Sequence, residues 1–392
     1  MVNYPKDWRL VEIEDIFTVT RGQVLSTEKI KDAKSSTYRY PVYSSQTLNN
    51  GLLGYYNDYL FKDAITWTTD GANAGDTNYR KGDFYCTNVC GVLLNNEGYA
   101  NECIAAIINS ISRKYVSYVG NPKLMNNVVK KIKICIPELK EQQAIAETLV
   151  AFDEHIENLE ELIAKKKMIR DGSVEDLMSG KTRLDGFDGE WKTVQFQNVI
   201  TPKARIGWQG LKKDEYLKKG FAYLISGTDF ENGSISLNEI SYVNKERYSM
   251  DANIQVKEGD VLVTKDGTIG KIARVPELNK KATLNSGVFV FRTNHLLEEC
   301  FLYWILRSSI FGKFIDDLSA GSTIKHLYQK DLKNFSFTMP VEIKEQKAIA
   351  SILTAMDEEI EDLRQEKDKI ERIKAGAMDD LLTGKIRLVK EA

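Results

Sequence analysis

The spacing of apolar residues predicts two long amphipathic helices, one in the middle of the chain and one near its end. In the first, apolar side chains recur at intervals of four and three residues from Ile145 to Ile163. The same intervals run from Ile349 to Leu363 in the second. This spacing places an apolar stripe along one side of a helix and is typical of a coiled-coil seam. We predict a helix-pair interface formed by Ile145, Leu149, Phe152, Ile156 and Leu159 with Ile349, Leu353, Met356, Ile360 and Leu363.

The two helices are copies of one sequence. An ungapped shift of 204 residues aligns Glu141 with Glu345, and 21 of the 44 positions that follow are identical. A proline precedes each copy, and Gly180 and Gly384 supply a helix stop at the end of each. A helix from Glu141 to about Met178 would measure roughly 57 Å at ~1.5 Å per residue.

Two equal apolar stripes in one chain bury each other most economically. We therefore predict that the helices pack as an antiparallel coiled-coil pair and create an internal pseudo-twofold repeat. A parallel or intermolecular coiled coil is the rival arrangement.

The longer segments before each helix follow a common plan of strands, turns, one helix and a last strand. The segments 7–19 and 190–202 open alike, each with a tryptophan followed by apolar alternation. Helical segments follow near Glu102–Ser112 and Leu297–Phe314, and final strands lie within 128–137 and 332–340. We predict an α+β fold with mixed sheets, divided into a domain at 1–137, a helical arm at 138–184, a domain at 185–340 and an arm at 341–392.

Composition favours a soluble globular protein, since 42% of the 392 residues are hydrophobic and 28% are charged. The net charge of −2 hides an alternation in which the two domain segments are mildly basic and the two helical segments acidic. Local basic faces can still meet nucleic-acid phosphates. No apolar run approaches the ~18 residues of a membrane span, and the charged N-terminus does not resemble a signal peptide. We expect a cytoplasmic protein.

The sequence contains no pattern that predicts catalysis or metal binding. The five cysteines are odd in number and form no CxxC pair, so we expect reduced thiols and no zinc site. An Asn/Asp-Pro-Pro-aromatic loop, typical of amino-group methyltransferases, is absent. The segment "SGKT" at 179–182 lacks the first glycine of a phosphate-binding loop. We predict no catalytic residues.

Polar residues in the turns of the two domains are candidates for DNA contact. Arg, Lys, Asn and Gln make bidentate contacts to base edges, whereas Ser, Thr and Lys reach phosphates. The plainer interpretation is that they are ordinary loop residues. The candidates are Ser45, Gln46, Asn49, Asn73, Asn78, Arg80, Lys123 and Asn126 in the first domain, and Lys203, Arg205, Trp208, Gln209, Lys212, Lys265, Thr268, Lys271, Ser322, Thr323, Lys325 and His326 in the second.

The chain resembles the specificity subunit of Type I restriction-modification systems. The resemblance rests on the duplicated segments "IPELKEQQAIAETLVAFDEHIENL" and "MPVEIKEQKAIASILTAMDEEIEDL". Each looks like the proline–EQ–helix segment that follows a target recognition domain in that family. The segments "EGDVLVTKDGTIGKIARV" and "GSTIKHLYQKDLKNFSFTMP" are also similar to family segments. The resemblance covers essentially the whole chain.

The resemblance implies a non-catalytic, sequence-specific DNA-binding subunit. Each target recognition domain would read one half of a bipartite, asymmetric DNA site, and the helical arms would set the spacing. The implied partners are double-stranded DNA, two methyltransferase subunits and, in the full complex, restriction or motor subunits. No cofactor is implied for this chain, whereas S-adenosylmethionine and ATP with Mg²⁺ are expected on the partners. The alternative is a coiled-coil scaffold protein that reads no DNA sequence.

Overall fold

The computed structural model describes residues 4–45, 48–207, 210–320 and 326–388. The chain divides into two compact units, and each unit contains parts of both long helices. The first unit consists of Met1–Glu160 with Gln365–Ala392, and the second of Glu161–Arg364. Both units combine helices with sheets of mixed strand direction, so the predicted α+β class is confirmed.

The first unit is built on a six-stranded sheet. The strands of this unit, six in the large sheet and two in a separate pair, are β1 (Arg9–Glu12), β2 (Thr18–Arg21), β3 (Tyr40–Tyr43), β4 (Leu52–Tyr56), β5 (Phe61–Thr68), β6 (Thr77–Cys86), β7 (Cys90–Leu94) and β8 (Lys133–Ile136). The large sheet has the order β2-β7-β5-β6-β3-β4, and β1 pairs with β8 separately. Strands β3 and β6 are parallel, whereas the other pairs of this sheet are antiparallel.

The helices of the first unit cover one face of this sheet. They are α1 (Ile13–Ile16), α2 (Glu102–Ser112), α3 (Asn126–Lys130) and the long helix α4 (Leu139–Met178), which continues into the second unit. Helix α2 has the predicted bounds. Its apolar side, including Ile104 and Ile108, packs with Trp67 and Leu93 of the sheet in one buried cluster. Burial of such large side chains contributes about 1.5–3 kcal/mol each.

The second unit contains two four-stranded sheets and two short strand pairs. Its strands are β9 (Trp191–Gln195), β10 (Ile200–Ala204), β11 (Ala222–Ile225), β12 (Phe230–Glu231), β13 (Ser234–Ile235), β14 (Ser241–Val243), β15 (Gln255–Val256), β16 (Val261–Thr264), β17 (Ile272–Arg274), β18 (Lys281–Leu284), β19 (Val288–Thr293) and β20 (Ser336–Pro340). One sheet has the order β10-β19-β16-β17 and the other β14-β11-β18-β15, with β9 paired to β20 and β12 to β13. The parallel pair of this unit is β11 with β18.

Two helices stand where the sequence predicted one near 297–314. The helices of the second unit are α5 (Phe196–Val199), α6 (Lys245–Ser249), α7 (Glu299–Arg307), α8 (Ser309–Ala320) and the long helix α9 (Ile343–Leu382), which continues into the first unit. Ser308 separates α7 from α8 because its backbone is extended, with ψ 168°. Its hydroxyl donates to the carbonyl of Ile305 at 2.7 Å, which satisfies one of the free carbonyls at the end of α7.

Salt bridges in the first unit show that the long helices are antiparallel there. Lys367 pairs with Glu160 at 2.8 Å, and Lys374 pairs with Asp153. The residue number therefore falls along α9 as it rises along α4. Exposed pairs of this kind contribute about 0.2–1 kcal/mol each, so they report orientation more than stability.

The second unit repeats the antiparallel pairing with other residues. Lys166 pairs with Glu359 at 2.6 Å, and Arg170 pairs with Asp357. Within each unit, the antiparallel arrangement predicted from the two stripes is thus confirmed.

The predicted stripe residues are buried or half-buried, and those nearest the start of each helix belong to the core of a domain. Ile145 and Leu149 pack in the cluster that holds Trp67, together with Leu381 and Leu382 from the end of α9. The matching cluster of the second unit contains Ile349, Leu353, Val174, Leu177 and Met178. The buried stripe residues are Ile145, Leu149, Leu159, Ile349, Leu353 and Ile360, and the half-buried ones are Phe152, Ile156, Met356 and Leu363.

Candidate nucleic-acid interface

Two of the predicted DNA-contacting residues of the first unit line one cavity. The cavity has a volume of about 200 Å³, and Asn78 and Arg80 contribute to its wall. These residues lie two positions apart on β6, so their side chains point to the same face of the sheet. Ser44 and Asn50 line the cavity from the segment that follows β3.

The segment after β3 carries further predicted DNA-contacting residues close to the cavity. Asn49 and Asn50 both adopt left-handed backbone conformations, with φ of 51° and 52°, which asparagine tolerates better than most residues. The carbonyl of Ser45 accepts a hydrogen bond from the Asn73 amide at 3.2 Å. Ser45 and Asn73 are therefore in contact, and Asn49 precedes the cavity residue Asn50, whereas the predicted Gln46 lies outside the described residues.

Arg80 is a buried cation fixed in one orientation. Its side chain is only 7% exposed, and its Nε donates a hydrogen bond to the Thr66 hydroxyl at 3.0 Å. Its guanidinium lies 3.8 Å from the centre of the Tyr43 ring, within the range of a cation–π contact. Desolvation by burial lowers the pKa of Arg80 from its usual value. The charge is thus held against the cavity by two contacts.

A second feature of the first unit is the Ser117–Lys123 loop. Lys123 is its last residue, and Asn126 lies three positions further along the chain. Reciprocal backbone hydrogen bonds of 2.9 Å between Ser117 and Lys123 close the base of the loop. A further backbone bond from Gly71 to Pro122 ties it to the turn after β5. The Lys123 side chain is exposed, and the Asn126 amide donates to the carbonyl of Thr20 at 3.2 Å. Lys123 is therefore available to an external ligand, and Asn126 holds part of the scaffold.

The tip of the Ser117–Lys123 loop carries two exposed apolar side chains that the sequence reasoning missed. Tyr118 is 66% exposed and Val119 is 92% exposed. The residues predicted to contact DNA were chosen for polar side chains in turns, a criterion that excludes both. The turn signal at Gly120, whose φ is +76°, was the feature that could have drawn attention to them.

In the second unit, four candidates meet at the turn between β16 and β17. Lys265, Thr268 and Lys271 belong to this turn, which the Thr264 hydroxyl braces by donating to the Thr268 carbonyl at 2.6 Å and accepting from the Lys271 amide at 2.9 Å. His326 contacts Asp266 of the same turn through its ring nitrogen. The amide of residue 327 donates to the carbonyl of Lys265 at 2.8 Å, which joins the two segments.

The remaining described candidates of the second unit differ in exposure. Arg205 is 2% exposed, and its Nε donates to the carbonyl of Leu284 at 3.0 Å, so it serves the scaffold. Lys203 lies on β10 opposite Val290, and Lys212 is exposed. The candidates Trp208, Gln209, Ser322, Thr323 and Lys325 lie outside the described residues.

Each domain is fastened to the long helices by a buried carboxylate. In the first unit, Glu141 is 1% exposed and accepts hydrogen bonds from Trp8 Nε1 at 3.2 Å and from Arg387 at 2.6 and 2.8 Å. Arg387 also donates to Asp7 at 2.7 Å. We call Trp8, Glu141 and Arg387 the first clasp. The first clasp joins the residue just before β1 to the start of α4 and to the residues that follow α9.

The second unit contains the same arrangement at the equivalent positions. Glu345 is fully buried and accepts hydrogen bonds from Trp191 Nε1 at 3.1 Å and from Arg183 at 2.7 and 3.0 Å. We call Trp191, Glu345 and Arg183 the second clasp. Gly180 and Gly384 end α4 and α9 with φ of +70°, and the ring of Trp191 or Trp8 lies against each glycine. The repeated "GKxRL" ending thus positions the arginine of each clasp.

The glutamine that follows each clasp carboxylate is buried as well. Gln142 donates to the carbonyl of Pro137 at 2.9 Å and accepts from Asn101, the N-cap of α2. Gln346 donates to the carbonyl of Pro340 at 2.9 Å and accepts from the amide of residue 298. The Glu-Gln pair is therefore a structural joint between domain and helix, a role that its polar character did not predict.

The described residues contain no group of three or more His, Cys, Asp or Glu side chains that could hold a metal ion. The five cysteines are free in the structure, and Cys86, Cys90, Cys103 and Cys135 are buried. No helix in the described part of the chain is both long and apolar enough to span a membrane.

Comparison with known proteins places these features in a defined family. A family model for the "Type I restriction modification DNA specificity domain" matches residues 5–166 and 189–372, which is most of the chain. The Type I restriction enzyme MjaVIII specificity subunit of Methanocaldococcus jannaschii is 26% identical over 411 residues, covering 98% of this chain and 94% of the relative. A putative type I specificity subunit N-terminus from Mycoplasma pneumoniae is 40% identical over 144 residues, covering 36% of this chain and 75% of the relative.

The fold has a counterpart among solved structures. The crystal structure of a Type-I restriction-modification system S subunit from M. genitalium superposes with a TM-score of 0.67 and covers 97% of each chain. The two sequences are 18% identical, so the likeness concerns the fold.

Proposed function

Because the chain belongs to the Type I restriction-modification DNA specificity family, we propose that its two domains each read one half of a split, asymmetric DNA sequence. The chain is a DNA-sequence-recognition subunit of that class. The observation that carries the two-half proposal is the repeated clasp. Two equivalent joints fasten two unlike domains to copies of one helix.

The unlike polar surfaces of the two domains support an asymmetric site. The first unit presents the cavity beside Arg80 and the Ser117–Lys123 loop. The second presents the lysines of the turn after β16, together with His326. Since base pairs are distinguished by their patterns of donors and acceptors, different side chains select different base sequences. Each domain would therefore recognise its own half-site sequence.

The long helices would act as spacer and docking surface. Both have 40 residues and begin at a clasp, so the two copies present equal lengths and equivalent starts. Apolar side chains on their surfaces are partly exposed, including Met168 at 73% and Ile169 at 49% on α4 and Ile373 at 45% on α9. We assign these surfaces to methyltransferase subunits, two per chain. This chain would perform no chemistry itself, and the partners would bind S-adenosylmethionine and, in the full complex, ATP with Mg²⁺.

Variation of the DNA spacer tests the proposal. Binding of the complex with its methyltransferase subunits should be measured on duplexes that carry both half-sites separated by different numbers of base pairs. Affinity should be high at one spacer length and fall when one or two base pairs are added or removed. Equal binding at every length would contradict the spacer role. DNA binding that is absent or insensitive to salt would instead favour a scaffold protein, since phosphate contacts weaken as salt rises.

Substitutions in the second domain test its separate role. Lys271→Gln, in the exposed turn after β16, should weaken binding to all sequences and lower the slope of log affinity against log salt by about one. Lys245→Gln, an exposed lysine on α6 of the same unit that is not a predicted DNA contact, is the matched control and should leave the slope unchanged. Exchange of residues 189–340 for those of a relative should change one half-site and preserve the other. A change in both half-sites would contradict the modular assignment.

A further inference from the structure

Among the described residues, the Arg80 charge beside the cavity forms no ion pair in direct contact, although the Glu102 carboxylate acts on it at longer range. Arg80 uses its Nε for the Thr66 hydroxyl, and among the described residues neither terminal nitrogen has a hydrogen-bond partner and no carboxylate lies within salt-bridge distance. The carboxylate in the cavity wall, Asp76, is already bound by Arg113 at 2.7 Å. The terminal nitrogens of Arg80 are not among the fully buried nitrogens of the described residues that lack a partner, so they are open to the cavity, where a ligand's acceptors can replace water.

The free part of the Arg80 side chain has the geometry of a fork. With Nε occupied and the guanidinium plane held against Tyr43, the two terminal nitrogens are the donors that remain. Two parallel donors of this kind match a pair of neighbouring acceptors. Among the base edges of duplex DNA, guanine offers such a pair in O6 and N7.

From these contacts we propose that the Arg80 cavity binds one guanine of the half-site read by the first unit. The inference rests on the proposed DNA-reading function and names a residue and a base for it. Asn78 and Thr68, which also line the cavity, supply further donors and acceptors beside the base. The side chain of Tyr43 fixes the fork, so the contact costs little side-chain entropy when it forms.

The surroundings favour a base over a phosphate. Asp76 and Arg113 pair with each other in the cavity wall, so their charges largely cancel. Asn109 and Arg113 lie at the C-terminal end of α2, where the negative end of the helix dipole disfavours a phosphate. A guanine edge is neutral overall and carries donors as well as acceptors, so it suits a wall of mixed polarity.

A double-mutant cycle between protein and DNA tests the pairing. The full chain, in complex with its methyltransferase subunits, is titrated with duplexes in which 7-deazaguanine replaces one guanine of the recognised word at a time. This analogue keeps O6 and replaces N7 by carbon. At one position in one half-site, it should weaken binding by the wild-type complex about tenfold to a hundredfold, the usual discrimination of a bidentate arginine–guanine contact.

The same analogue should have less than a threefold effect at that position in the Arg80→Gln complex. Because the cycle compares two duplexes with one protein, a general loss of stability in the variant cancels. Arg39→Gln is the matched control, since Arg39 also stacks on a tyrosine, Tyr40 at 4.8 Å, but is exposed. It should retain the full analogue effect at every guanine.

Two results would overturn the guanine assignment. Additive effects of Arg80→Gln and the analogue at every guanine would show that Arg80 touches no guanine N7. A uniform loss of affinity for all sequences, with a smaller salt slope, would show a phosphate contact instead. If the wild-type complex shows no sequence preference at all, the proposed DNA-reading function itself fails, and this outcome is seen before any variant is made.

Discussion

Removal of the clasp arginine Arg387 should unfasten the first domain from the long helices. The substitution Arg387→Ala deletes two charge-assisted hydrogen bonds, of 2.6 and 2.8 Å, to a carboxylate that is 1% exposed. Glu141 would keep only the 3.2 Å bond from Trp8. Breaking a buried ion pair by removing one partner costs about 3–5 kcal/mol. The Arg387 side chain is 34% exposed, so water can partly replace it, and we expect a loss of about 2–3 kcal/mol.

Hydrogen exchange measured by mass spectrometry on the full chain is the appropriate assay, because it reports opening of each segment separately. Peptides that contain Trp8 or Glu141 should lose protection in Arg387→Ala. The matched variant Arg183→Ala should instead deprotect peptides that contain Trp191 or Glu345. The effect should therefore follow the substituted arginine to its own clasp.

The substitution Glu141→Gln completes a thermodynamic cycle. Alone it should cost about 1–2 kcal/mol, because the amide can still accept from Trp8 but loses the charge-assisted bonds to Arg387. In the Arg387→Ala background it should cost nearly nothing, since no unpaired carboxylate is then left buried. Unchanged protection in Arg387→Ala, or strictly additive effects in the double variant, would refute the clasp as a coupled buried pair.

Three further predictions follow from single residues. The pKa of Asp7 lies below its usual range chiefly because Arg387 donates hydrogen bonds to it, so the stability that Asp7 contributes is present above pH ~4 and is lost at lower pH. The difference in thermal stability between wild type and Asp7→Asn should therefore shrink below pH ~4. A difference that stays constant with pH would contradict this. Gly91→Ala should destabilise the first unit by about 1–3 kcal/mol or more in denaturant unfolding, because an added Cβ would lie 2.1 Å from the Trp67 ring; a neutral effect would refute this packing. Gly172→Ala, in open space within α4, should stabilise the helix by about 0.5–1 kcal/mol in the same assay, and destabilisation would indicate a contact on that face.

Features set by local sequence could be predicted. The long helices follow from the spacing of four and three residues, and their glycine stops from the left-handed backbone that glycine adopts easily. Observed α4 begins at Leu139, two residues before the expected start. Helix α2 was predicted near its observed bounds, and in the structure Asn101 caps it through a hydrogen bond from the Ile104 amide. These properties depend on neighbours within a few positions.

Features set by distant contacts could not be predicted. Glu141 and Arg387 are 246 residues apart, and nothing in either local sequence indicates the other. A Glu-Gln pair at a helix start is expected at the surface, yet Glu141 and Gln142 are buried. Recognition of the joint would have required knowing that the residues after one helix return to the start of the other.

The exposure of individual polar side chains could not be predicted from the sequence either. Arg205 and Lys271 both stand near strand ends, but Arg205 is buried against a backbone carbonyl and Lys271 is exposed in its turn. Arg80 is buried and still faces a cavity. The difference depends on the register of neighbouring strands, which the pattern of residue types does not determine. The list of DNA-contact candidates therefore remains a set of predictions.

In the proposed function, one chain reads two unlike DNA half-sites at a fixed separation. Methylation-site sequencing of DNA from cells that express the chain with its partner subunits tests this most directly. If each domain reads one half-site, the modified bases should lie within a split, non-palindromic sequence whose two defined halves are separated by a spacer of constant length and free composition. Methylation within a single uninterrupted or palindromic word, or methylation without sequence preference, would contradict it.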